Sequence, residues 1–176
     1  MYKRQAGDEF VIAGTGQRVG VRSVQRHGTN CDRIAAVRRT AINLSGVSAT
    51  DLGRGDVIVA GARWIHTSVV DVQVEFLEGA TMRNGKGFSA HIGSARRDVT
   101  FRPVGGPDSS QRGWFRMRFP NALPLAPRDR FLLRDNGSGV VVGVATVSDV
   151  SPVAAPSRAM PDGSIDQQLI HHGWVT

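Results

Sequence analysis

Apolar and polar residues alternate with period two along most of this chain, a pattern that fits strands with one buried face. In Gln17–Val24, Val19 and Val21 share one face while Arg18 and Arg22 take the other. Val70, Val72, Val74 and Phe76 alternate with Asp71, Gln73 and Glu75. Phe115, Met117 and Phe119 alternate with Arg116 and Arg118, and Phe131 and Leu133 with Arg130 and Arg134. Val140–Val147 is apolar at nearly every position, which predicts a strand covered on both faces.

Turn residues separate these runs: Asn84-Gly85, Gly105-Gly106-Pro107-Asp108 and Asn136-Gly137-Ser138-Gly139. Strands that recur roughly every 8–14 residues with such punctuation predict barrels or sandwiches. The 21 glycines and 8 prolines suit many short strands joined by turns. One helix is expected, Ile165–His172, capped by Asp162 or Ser164 and stopped by Gly173. Ser151–Pro161 before it is rich in Pro, Ala and Ser and reads as a linker. A boundary near Gly61–Arg63 separates a short first β unit from a second series of strands beginning at Trp64. About 60 residues supply roughly four strands, too few to close a small barrel of five or six.

Composition narrows the setting. A hydrophobic content of 40% excludes a disordered chain. No apolar run approaches the ~20 residues of a membrane span, and the polar first residues, Met1–Glu9, carry no secretory signal. The single cysteine, Cys31, forms no internal disulfide and has no nearby Cys or paired His to make a zinc site, in keeping with a reducing cytoplasm. His171-His172 likewise lacks a companion at ligand spacing. The net charge is +7, and apart from Lys3 and Lys86 all 22 cationic side chains are arginines. Arginine grips phosphate bidentately and stacks on bases, so RNA is a natural partner; an Arg-rich codon usage gives the same composition without a ligand.

Several segments resemble the second and third domains of translational GTPases, and the selenocysteine-specific elongation factors fit best. Val21–Gly61 carries Asn43-Leu44-Ser45-Gly46-Val47 and Leu52-Gly53-Arg54-Gly55-Asp56-Val57, similar to the family's Asn-Leu-x-Gly-Val strand and Leu-x-Arg-Gly-Asp-Val segment. Val69–Arg102 carries Asn84-Gly85 and His91-Ile92-Gly93, and Leu123–Arg134 matches the closing Pro-Leu…Gly-Asp-Arg-Phe-x-Leu-Arg segment of domain three. The tail, with Pro156-Ser157-Arg158-Ala159 and His172-Gly173-Trp174-Val175, resembles the link into a winged-helix region. The chain departs from the pattern where Val37 and Arg38 replace a Gly-Gln pair and where Val142-Gly143-Val144 replaces a glycine triplet. The opening strands of domain two are not matched, and no Gly-x-x-x-x-Gly-Lys-Ser/Thr phosphate loop occurs.

The resemblance implies an all-β fold of two consecutive small antiparallel β-barrels, the first truncated at its N-terminus, with a short C-terminal helix after a Pro/Ala linker. The implied domains are residues 1–61, 62–150 and 151–176, the last opening a winged-helix domain. The implied role is delivery of selenocysteinyl-tRNA to the ribosome. Its partners are that tRNA, the ribosome, a GTP-binding domain that holds GTP and Mg outside this chain, and an mRNA hairpin bound by winged-helix domains; no membrane and no cofactor in this chain are implied. Arg39 aligns with an arginine that lines the family's aminoacyl pocket, with Arg38 as the other candidate counterpart and His27 facing the same pocket. A selenolate is anionic at neutral pH, so a guanidinium there favours it over a neutral seryl group. Arg96, Arg97, Arg102, Arg116 and Arg118, on outward faces or turns, are the candidates for tRNA backbone contacts.

Other classes fit less well. The barrels of another translational GTPase, elongation factor Tu or the initiation factor 2 gamma subunit, share the resemblance. Gly14-Thr15-Gly16 looks like a phosphate loop but precedes a strand, so it reads as a hairpin turn. Arg54-Gly55-Asp56 enters a strand and is no adhesion motif. His91 beside Gly93 reads as structural, and no nucleophile with a base points to an enzyme.

Overall fold

Strands form nearly all the regular structure in the computed structural model, which describes residues 3–35, 39–61, 64–80, 85–105, 113–153, 155–157 and 159. The expected helix at 165–172 and its caps lie outside the described residues, as do Asn84 and the Gly106-Pro107-Asp108 part of the expected turn. The chain divides into two units, Met1–Arg63 and Trp64–Thr176.

The first unit holds β1 (Lys3–Gln5), β2 (Glu9–Ile12), β3 (Arg18–Arg26), β4 (Thr29–Cys31), β5 (Arg33–Ala35), β6 (Ala41–Ser45) and β7 (Ile58–Val59). Five of these make one antiparallel sheet, ordered β4-β3-β2-β7 with β6 on the other side of β3, while β1 pairs with β5. Seven short strands therefore stand where about four were expected. The reason lies in β3: its register shifts between Val21 and Ser23. Val19 and Val21 are buried before the shift and Val24 after it, so the inward parity changes along one strand. The strand can then meet β2 over its first half and β4 over its last. Phe10, Ile12 and Ile34 complete this core. Gly14-Thr15-Gly16 forms the β2–β3 turn, where the Thr15 and Gly16 amides donate to the Ile12 carbonyl.

The second unit is a closed antiparallel barrel of β8 (His66–Phe76), β9 (Gly85–Ile92), β10 (Ala95–Pro103), β11 (Trp114–Pro124), β12 (Arg130–Asp135) and β13 (Val141–Asp149), in the order β10-β11-β8-β13-β12-β9. Closure removes the exposed sheet edges. Val70, Val72, Val74, Phe115, Met117, Phe131 and Leu133 point inward, as their alternation predicts. Phe101 meets Phe88 and Phe115 edge-to-face, with ring centroids 5.3 and 5.5 Å apart. At Gly113 (φ 76) the backbone runs so close to β8 that an added Cβ would overlap the Val74 carbonyl oxygen. The Gly113 carbonyl accepts from the Val74 amide at 2.6 Å.

Two sequence expectations are corrected here. Val140–Val147 is not covered on both faces: Val142, Ala145 and Val147 are buried, but Val141, Val144 and Thr146 are only half-buried and Val140 is exposed. Conversely, Asp71 and Arg116, expected to face outward into solvent, are each only 6% accessible. The segment after β13 is tied back to the barrel, since Val150 is buried and the Pro156 carbonyl accepts from the Gly105 amide at 2.9 Å.

Candidate nucleic-acid interface

In the first unit, β3 and β6 pair with Gln25 opposite Ala41, and Ser23 opposite Asn43. A 3-10 turn at Ala49–Asp51, whose Ser48 cap accepts from the Thr50 amide, brings Ala49 beside them. Between these elements lies an open groove of about 400 Å³ lined by Ser23, Gln25, Ala41, Ile42, Asn43, Leu44, Val47, Ala49 and Leu52. Its walls are mostly apolar, with three side chains able to exchange hydrogen bonds. Gln25 is oriented by donating to Asn30 Oδ1 at 3.0 Å.

Two of the aminoacyl-pocket candidates, His27 and Arg39, stand near one end of this groove. His27 (φ 50) and Gly28 (φ 79) form the two central residues of the β3–β4 hairpin, both with the positive φ that a type I′ turn requires. His27 follows Gln25 by two residues and Arg39 precedes Ala41 by two, so both sit beyond the Gln25–Ala41 pair. Both are exposed, and neither belongs to the groove lining. Arg38 lies outside the described residues. The lining residues Ser23, Gln25 and Asn43 were not singled out from sequence. Asn43 stood in the Asn-Leu-x-Gly-Val segment, and that was the available signal.

The five barrel arginines part company. Arg102 and Arg118 are exposed on the outer face of β10 and β11, and among the described residues no side-chain hydrogen bond or ion pair engages either guanidinium. Arg118 lies opposite Thr100 while Arg102 lies opposite Arg116, a diagonal whose backbones are roughly 7–8 Å apart. Arg96 is exposed but donates to Asn136 Oδ1 at 3.3 Å and lies 3.7 Å from Asp98. Arg97 is half-buried and donates to the Arg96 carbonyl. Arg96 and Arg102 are six positions apart on β10, roughly 20 Å, so the two ends cannot share one phosphate.

Arg116 is the correction. Its Nε donates to Asp71 Oδ1 at 2.7 Å and its Nη2 to Asp71 Oδ2 at 2.8 Å, a buried bidentate fork. The hydrogen bonds to Asp71 raise its pKa, burial opposes them, and the Asp71 and Asp149 charges add to the rise. The cation is held by its cross-strand neighbour on β8. A guanidinium so engaged is not available to phosphate.

Two carboxylates are shifted as well. Burial raises Asp129, which accepts from the Ala126 amide, and hydrogen bonds from the Ser138 amide and hydroxyl lower Asp135 in the β12–β13 turn. His91 is half-buried, with Nε2 3.3 Å from Ser89 Oγ. Among the described residues no group of three or more His, Cys, Asp or Glu side chains could hold a metal ion. No helix there is long and apolar enough to cross a membrane.

No protein-family model matches the chain. Its sequence is 28% identical over 132 residues to the selenocysteine-specific elongation factor of Desulfomicrobium baculatum, covering 73% of this chain and 21% of that protein. The fold superposes on a bacterial selenocysteine-specific elongation factor EF-Sec with a TM-score of 0.71 and 21% identity, over 96% of this chain and 26% of the other. Elongation factor SelB from Methanococcus maripaludis gives 0.68 at 14% identity, over 86% of this chain and 38% of that one. Sup35 complexed with GDP gives 0.69 at 14% identity, over 85% and 42% respectively. The chain thus spans about a fifth of the curated relative's length. Over most of its own length it is similar to a stretch of the selenocysteine-specific elongation factors.

Proposed function

We propose that this chain is the tRNA-binding barrel portion of a selenocysteine-specific elongation factor, the part that holds selenocysteinyl-tRNA for delivery to the ribosome. The observation that carries this reading is the 28% identity across 73% of the chain to a protein of that name. The fold alone is shared with Sup35 and is compatible with the barrels of another translational GTPase. In this reading the β3–β6 groove receives the aminoacyl end, with Arg39 and His27 at its rim, where the guanidinium faces the selenolate. Arg102 and Arg118, and at the far end of β10 Arg96, meet tRNA phosphates by shape, as double-helical RNA requires. GTP and Mg belong to a separate domain, because the sequence lacks a phosphate loop, and the mRNA hairpin to winged-helix domains.

The test is titration of selenocysteinyl-tRNA against bulk aminoacyl-tRNA at two salt concentrations. Preference for the former is expected, with an affinity that falls steeply with salt at a slope near −0.9 per phosphate contacted. Equal and salt-insensitive affinities refute the reading. Arg39→Gln should cut the preference for selenocysteinyl- over seryl-tRNA roughly 10–150-fold, the scale of one charge-assisted contact.

A further inference from the structure

Four charged residues stand in register across four neighbouring strands of the barrel. Arg102 on β10 lies opposite Arg116 on β11, Arg116 opposite Asp71 on β8, and Asp71 opposite Asp149 on β13. Residues directly opposite share a face, so the row runs cation, cation, anion, anion across the outside of the barrel. Its two ends differ from its centre. Arg116 and Asp71 are buried in their bidentate fork, which occupies both carboxylate oxygens. Asp149 accepts from the Ser151 amide at 2.7 Å. Arg102 remains exposed with no partner among the described residues.

We propose that the Asp71–Arg116 pair is an electrostatic insulator: by filling Asp71, Arg116 keeps Arg102 from being neutralised and leaves it free for an RNA phosphate. This rests on the RNA-binding reading above. Arg102 and Asp71 are two strand spacings apart, roughly 10 Å between backbones, within the combined reach of the two side chains. Without Arg116, the nearest cation in the row to Asp71 is Arg102, and the resulting pair would withdraw it from solvent. Asp71 and Arg116 are then positioning residues, which act on RNA through Arg102 and touch none themselves.

The experiment measures binding of selenocysteine tRNA to the full chain between 50 and 200 mM salt. Arg102→Gln should lower the slope of log affinity against log salt by about 0.9, the loss of one phosphate contact. Arg116→Met should lower it by the same amount although Arg116 is buried, and Asp71→Asn combined with Arg116→Met should restore the wild-type slope. Near-UV circular dichroism checks folding, and Arg116→Gln, whose amide can still donate to Asp71 without cancelling its charge, replaces a Met variant that fails to fold. Val69→Asp leaves the buried pair intact and places an acid opposite Arg118 with no arginine between them. It should lose about 0.9 of slope in the same way. A folded Arg116 variant with the wild-type slope, a double variant that stays low, or a Val69→Asp variant with no loss overturns the insulator alone. A wild-type chain with salt-insensitive binding overturns the RNA-binding reading and the insulator with it.

Discussion

Replacing Gly113 with Ala tests how the barrel seam beneath these arginines is held. Gly113 adopts φ 76, and an added Cβ would fall 2.2 Å from the Val74 carbonyl oxygen, with backbone atoms rather than a flexible side chain in the way. Gly93 supplies the control: its φ is 56, but nothing lies within 4 Å of its Cβ position. Gly93→Ala should therefore cost only the left-handed penalty of about 1–2 kcal/mol. Gly113→Ala carries that penalty and must also push β11 from β8, straining the Val74–Gly113 hydrogen bond in a buried setting. Loss of a buried amide's partner costs about 1–3 kcal/mol, so the total reaches roughly 2–5 kcal/mol. The variants differ by the second cost alone, and for a unit near 100 residues that separates their melting points by roughly 5–20 °C. Urea and thermal melts followed by tryptophan fluorescence, with Trp114 beside the substitution, provide the assay. Equal costs for the two variants refute the argument that close strand approach, rather than backbone conformation, requires glycine at 113.

Two other outcomes follow from single residues. Burial raises the Asp129 pKa in the folded state, so the folded barrel binds a proton more readily than the unfolded chain and loses stability as pH rises from the ordinary carboxylate range through the raised value. Asp129→Asn should remove that slope and raise stability at pH 7 in urea melts, while a steeper loss of stability with rising pH in the variant contradicts the assignment. Arg128 holds φ 73 where the family pattern has glycine, and its amide donates to the Val147 carbonyl at 2.8 Å. Arg128→Gly keeps that bond and relieves the backbone, so a gain of up to about 1 kcal/mol in thermal stability is expected. A loss of stability would show that the side chain's own contacts outweigh the relief.

Much of this architecture is legible in the residues. Val70, Val72 and Val74 occupy one face because successive strand side chains alternate, and no knowledge of the partner strands is needed to say so. His27-Gly28 and Asn136-Gly137 mark turns for equally local reasons. The groove in the first unit was not legible. Gln25 and Asn43 come together only through the β3–β6 register, and the shift between Val21 and Ser23 breaks the parity that a reader would extrapolate.

Alternation assigned Arg116 and Arg118 to one outer face, Arg102 was placed only on an outward face or turn, and neither reading could go further, since a period of two gives the side of a strand but not what stands next to it. Which of the three stays available was decided by Asp71, 45 residues from Arg116 in the chain and directly across from it in the barrel. A charge's availability depends on its nearest neighbours in space, because Coulomb attraction and hydrogen-bond geometry act over a few ångströms whatever the separation along the chain.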